Sequence, residues 1–142
     1  DQIDQGAYIV TALLGNFQVF QWRLYGGFDL DMQYHWLHSS SSPEIGTLAL
    51  NFGRIRDENL DALLDENRAS TDPVRKKEIA EEVNRLFATE CYDIWGSYTV
   101  WGIVYKPTVH GLSGFELSDG KGVVFGAGFA GTFYPMTLWV EQ

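Results

Sequence analysis

Asp29, Asp31, His35 and His38 bring four side chains able to move protons or hold a metal into a ten-residue stretch that follows Gly26-Gly27. Two neighbouring carboxylates can share acid and base work in glycoside hydrolysis. They can also open a Ca²⁺ loop, but neither the glycine nor the closing glutamate of an EF-hand falls in register. His35 and His38 are spaced so that they could share a metal on a helix. The plainer reading is a turn held by Asx hydrogen bonds, with surface histidines, and it is preferred because short motifs arise readily by chance. No metal is expected at these four residues.

No nucleophile elbow of the form Gly-x-Ser-x-Gly and no His-Glu-x-x-His occurs. The glycine-rich stretches Gly111–Gly114 and Gly126–Gly131 carry no Gly-Lys-Ser/Thr and open no clear helix, so neither is a phosphate loop. No catalytic set assembles, and the expectation is a non-enzymatic protein without cofactor.

Aromatic residues are the better candidates. Trp22, Tyr25 and Phe28 surround the Gly26-Gly27 turn, with Arg23 among them. Tyr and Trp offer large, stiff contact area with a polar tip. Strand ends facing a crevice are where open α/β sheets bind ligands. A purely structural core role for Trp22 is equally compatible with the sequence.

Certain elements must position these residues. Ile3, Ala7, Val10 and Leu14 fall at helical spacing, and Gly15-Asn16 supplies a stop, so residues 1–14 are expected to be helical. Residues 17–25 alternate apolar and polar, the pattern of a half-buried strand. Residues 26–47 lack a clean period and carry loop punctuation, and 48–52 read as a short extended segment. Asp57 is an N-cap for a helix to about Arg68 with Leu60, Leu63 and Leu64 inside. Asp72 caps a second helix, with Pro73 at its first position, where a missing N–H costs nothing. Val74, Ile79, Val83, Leu86 and Phe87 form its expected apolar stripe, closed by Cys91 as a buried, inert thiol. The pairs Lys77–Glu81 and Glu81–Arg85 mark its wet face. Residues 92–105 are rich in β-branched and aromatic side chains and read as a strand broken near a glycine. Phe133–Val140 reads as extended.

The bulk properties agree with one domain. At 142 residues, 45% apolar and 15% aromatic, the chain can bury roughly two thirds of its unfolded surface. A net charge of −9 with ten basic residues makes nucleic acid and anionic membrane poor partners. One cysteine permits neither an internal disulfide nor a cysteine-rich zinc site. No apolar run reaches the ~20 residues of a membrane span. The chain starts at Asp1, inside an expected helix, which raises the expectation that the native polypeptide extends upstream.

These segments, in this order, resemble the C-terminal part of a bacterial extracellular solute-binding protein of the peptide/nickel-binding class. Asp1–Leu14 resembles the helix before the second interlobe crossing, and Phe17–Trp22 the following strand, ending in a Trp near the ligand. Asp29-Leu30-Asp31 is similar to the family's Asp-Pro-Asp, with Leu in place of Pro. Asn51-Phe-Gly-Arg54, Asp61-Ala-Leu-Leu64 and Asp72–Arg75 resemble the succession Asn…Arg, Asp-x-Leu-Leu, Asp-x-x-Arg. Lys106-Pro-Thr-Val-His-Gly111 is similar to the segment leaving the larger lobe, and Leu138-Trp-Val140 to the return toward the first lobe. The resemblance covers nearly the whole chain, through motifs that are individually only moderately specific. One position departs: where peptide-binding relatives often carry an Asp three residues after the strand-end Trp, to pair with a free amino group, this chain has Tyr25. That role passes to Asp29 or is absent.

The resemblance implies an α/β fold, a fragment of a periplasmic-binding-protein type II lobe. Residues 1–112 would form most of the C-terminal lobe and 113–142 the segment returning toward the first. It implies a protein located outside the cytoplasm, periplasmic or held at the cell surface as a lipoprotein. Its partners would be a small-molecule or peptide ligand, the remaining lobes of the parent chain and an ABC permease. Wall residues would be Trp22, Arg23, Tyr25, Phe28 and Asp29, with Asn51 and Arg54 as supports or secondary contacts. Arg54 could equally be an ion-pair partner inside the lobe. Two other functions compete. A stand-alone carbohydrate-binding module would use exposed Trp and Tyr as platforms. A hydrolase would use Asp29 and Asp31.

Overall fold

The structure is a computed structural model, and it describes residues 3–23, 29–96, 104–111 and 138–141. The chain divides into two compact units. The first comprises Asp1–Trp22 and Asp29–Gly96, the second Arg23–Phe28 and Ser97–Gln142.

The first unit is helical among its described residues. Helix α1 spans Gln5–Leu14. Asp4 caps it by accepting from the N–H groups of Gly6 and Ala7, and Gly15 ends it at a positive φ of 67°. A 3-10 turn, Leu30–Gln33, leads into the one-turn helix α2, Tyr34–Leu37, and a second 3-10 turn follows at Ser39–Ser41. Helix α3 spans Glu58–Ala69 and α4 spans Pro73–Glu90. Asp57 and Asp72 cap them as their side chains dictate, each accepting from backbone N–H groups of the first turn.

The core lies between α2, α3 and α4. Tyr34, Leu37, Leu60, Leu64, Ile79, Val83 and Phe87 are buried, with Leu63, Leu86, Ile55, Trp36 and Tyr92 packed around them. Two expected members of the α4 face are placed otherwise. Val74 is 64% exposed, because it precedes Ile79 by five residues and so lies roughly 140° around the helix from it. Cys91 is exposed, because α4 ends at Glu90 and Cys91 takes a left-handed conformation, φ 59°, at the cap. It therefore does not continue the stripe.

The strand expected over residues 17–25 is absent from its described part, 17–23. A strand needs a neighbour for its backbone groups. Here the Gln21 carbonyl instead accepts from the Tyr8 hydroxyl, and the Phe17, Phe20 and Trp22 rings collect around Tyr8 and Phe52 while Val19 stays exposed. Residues 92–96 and 104–105 are likewise not strand, and Ile94, Trp95 and Val104 are exposed. The remainder of these two expected strands, 24–25 and 97–103, lies outside the described residues.

The second unit contains, among its described residues, a two-stranded antiparallel ladder. Strand β1 is Val109–His110 and β2 is Trp139–Val140, in register Val109 with Val140 and His110 with Trp139.

Candidate functional site

The aromatic candidates are organised by α1. Tyr8 stacks on Phe20 with centroids 4.4 Å apart and on Trp22 at 5.6 Å. Phe20 and Trp22 stack at 5.8 Å, and Phe17 tilts against Phe20 at 4.8 Å. Phe52 meets Trp22 edge-on at 5.2 Å and Trp36 at the same distance, which joins the cluster to the helical core. Every ring of the set is half-buried. The Trp22 indole Nε1 is enclosed and has no hydrogen-bond partner among the described residues. An enclosed donor without an acceptor costs about 1–3 kcal/mol, so it needs a reason.

The alternation of residues 17–25 points to Trp22 at a strand end and does not single out Phe20. Tyr8, Trp36 and Phe52 were not foreseen as its neighbours, because nothing local couples position 8 or 52 to position 22. Arg23 is exposed. Tyr25 and Phe28 lie outside the described residues.

Asn51 and Arg54 hold the loops that carry these rings. Asn51 is fully buried, and its Nδ2 donates to the carbonyls of Leu37, His38 and Ile55 at 3.1–3.3 Å. Its Oδ1 accepts from the Ile55 N–H at 3.0 Å. Arg54, at φ 51°, donates to the carbonyls of Asn51, Leu13 and Thr47 at 2.6–2.8 Å. It therefore ties the end of α1 to the 47–54 loop through carbonyls, and no ion pair joins it among the described residues. Burial lowers its pKa. Gly15 makes room for it: a Cβ there would lie 2.9 Å from Arg54 Cζ.

The carboxylates Asp29 and Asp31 are engaged by other parts of the unit. Asp29 accepts from the Asp31 N–H at 3.0 Å, from Asn67 Nδ2 at 2.9 Å and from Lys76 Nζ. The Asp31 amide, and then Lys76 and Asn67, hold its carboxyl well below the usual range, at about 2. Asp31 pairs with Arg68, whose guanidinium also covers the Tyr34 ring.

The histidines separate. His35 is exposed, whereas His38 is buried and stacked on Tyr34 at 4.4 Å. His38 Nδ1 accepts from the Ser40 N–H at 3.0 Å, which assigns the proton of the neutral ring to Nε2. That atom lies 3.6 Å from Asp65 and 3.8 Å from Asp61. Asp61 is in turn bound by the Ser39 N–H and hydroxyl, and Asp65 by the Tyr34 hydroxyl. Among the described residues no group of three His, Cys, Asp or Glu side chains is placed to hold a metal ion. Chemically, the first unit offers a half-buried aromatic surface framed by polar groups that bond mostly to one another, although His38 Nε2, Arg54 Nε and Asn67 Oδ1, like Trp22 Nε1, are enclosed without a hydrogen-bond partner among the described residues.

Among the described residues no helix is long and apolar enough to cross a membrane. No family model, curated protein or solved structure matches this chain.

Proposed function

We propose that this chain forms one wall of the ligand cleft of an extracellular solute-binding protein that delivers oligopeptides or similar small solutes to an ABC importer. The reading rests on the motif order from Asp1 to Val140, and one structural observation carries it. Trp22 is half-buried in a ring cluster, with its one polar side-chain atom enclosed and without a partner among the described residues. Such an arrangement suits a surface that rearranges and completes itself around a ligand. Two-lobed binding proteins do this by hinge closure. In this reading Trp22 contacts ligand, while Asn51 and Arg54 position the loops beneath. The chain performs no catalysis.

The test is tryptophan fluorescence and titration calorimetry against oligopeptide and oligosaccharide pools, on this chain and on the complete gene product in parallel. The expected result is saturable peptide binding by the complete protein, with a Trp22-dependent spectral change, and no useful affinity in the chain alone. Peptide binding by the complete protein that ignores Trp22→Ala would remove the proposed site. A second reading, a carbohydrate-binding module, is favoured by Trp139, which is 57% exposed while one face is stacked on His110 at 4.2 Å. Tight oligosaccharide binding by the chain alone would establish it instead.

A further inference from the structure

Trp22 needs a fixed direction if it is to meet a ligand, and the segment that carries it has no ladder to supply one. Residues 17–22 form neither helix nor strand. Gly15, at φ 67°, turns the chain out of α1, and the segment then runs back along that helix until Gln21 and Trp22 lie beside Tyr8. Tyr8 lies about 9 Å back along the axis from Leu14, the last residue of the helix. Unpaired backbone keeps its conformational freedom unless contacts from outside the segment remove it.

Tyr8 supplies two such contacts. Its hydroxyl donates to the Gln21 carbonyl, and among the described residues this is the hydrogen bond that joins 17–22 to α1. That carbonyl belongs to the planar peptide linking Gln21 to Trp22, so holding it fixes the direction in which Trp22 leaves the chain. The Tyr8 ring stacks on Trp22 at 5.6 Å and 20°, and on Phe20 at 4.4 Å and 26°. Stacking of this kind restricts the tilt of the rings involved. Phe52 meets the indole edge-on from a loop that is itself bound to the end of α1. There the Gly46 and Ala49 N–H groups donate to the Leu14 and Leu13 carbonyls at 2.8 and 2.9 Å. Tyr8 and Phe52 thus hold the indole from one common frame, α1.

We infer that Tyr8 is the positioning residue for Trp22, aiming the indole through its hydroxyl and its ring without touching ligand itself. The consequence for binding rests on the solute-binding reading above. Loss of Tyr8 leaves Trp22 in place but unaimed, so affinity falls although no ligand contact has been deleted. Tyr8→Phe keeps the stack and removes the hydrogen bond, whereas Tyr8→Leu removes both.

The experiment reads the near-ultraviolet circular dichroism of Trp22 in the complete gene product, as the difference between each protein and its own Trp22→Phe counterpart. Calorimetry with pools of short oligopeptides is run on the same set. Ile79→Val, a mild truncation in the core on α4, controls for lost stability alone. The Trp22 band is expected to shrink in Tyr8→Phe, to vanish in Tyr8→Leu and to stay unchanged in Ile79→Val. Peptide affinity is expected to fall about threefold in Tyr8→Phe and about tenfold or more in Tyr8→Leu. A full Trp22 band or undiminished affinity in Tyr8→Leu would overturn the inference while leaving the solute-binding reading intact, and so would equal loss of the band in Ile79→Val. Where Tyr8→Leu does not fold, Tyr8→Phe decides, and an undiminished band there overturns the inference. Absence of peptide binding by the unmodified protein would instead remove the solute-binding reading, and the band alone then decides whether Tyr8 positions Trp22.

Discussion

Lys76, on α4, donates through Nζ to the carboxylate of Asp29, 47 residues earlier in the chain. Asn67 of α3 donates to the same carboxylate at 2.9 Å. One side chain thus fastens the Leu30–Gln33 turn to both long helices, and caps that turn by accepting from the Asp31 N–H.

This junction makes stability depend on pH with a defined sign. The Asp29 pKa is depressed, to about 2 from 3.8. Its contribution is therefore complete above the unfolded value and is lost as pH falls from about 4 toward 2. The side chain is 36% exposed, so solvent screening reduces the effect to about 1 kcal/mol. Urea unfolding at several pH values should show that Asp29→Asn removes this share of the acid sensitivity. Parallel acid profiles for the two proteins would contradict the assignment.

Asn51 is the most exacting polar position. Its amide satisfies three carbonyls and one N–H from a fully buried site. Asn51→Ala leaves these groups unpaired and should cost about 2–4 kcal/mol in chemical denaturation. Asn51→Asp, which keeps the acceptor and loses the donor, should be at least as damaging. A cost below about 1 kcal/mol for the alanine variant would mean that the loop is held by something else.

The two ends of the α4 sequence pattern should behave differently. Ile79 is fully buried and Val74 largely exposed. Ile79→Ala is expected to cost about 2–5 kcal/mol, and Val74→Ala to remain within about 0.5 kcal/mol of the parent. Equal effects at the two sites would reverse the assignment of the inner face.

Cys91 offers a chemical check on the end of α4. An exposed thiol should react with a small disulfide reagent in the native state, without denaturant. Because Cys91 sits at φ 59°, Cys91→Gly should also stabilise the protein by about 0.5–1 kcal/mol. A thiol that reacts only after unfolding would place Cys91 in the core.

The sequence by itself determined the features whose partners lie within a turn. Asp57 and Asp72 accept from N–H groups two or three residues on, Pro73 needs no partner at all, and the Leu60–Leu64 and Ile79–Val83–Phe87 repeats state which face turns inward. Local hydrogen bonds and a 3.6-residue period are legible because both ends of each interaction sit in one short window. Only the tertiary structure decided the rest. The alternation over Phe17–Trp22 is equally a strand or a set of rings drawn to Tyr8 and Phe52, and the choice depends on whether a pairing strand lies alongside. That Asp29 joins Lys76 and Asn67, brought onto it from α4 and α3, is not written in its neighbours along the chain. Cys91 reads as core until the backbone leaves the helix one residue earlier. In each case the deciding partner or turn is supplied by packing, and residue spacing carries no information about it.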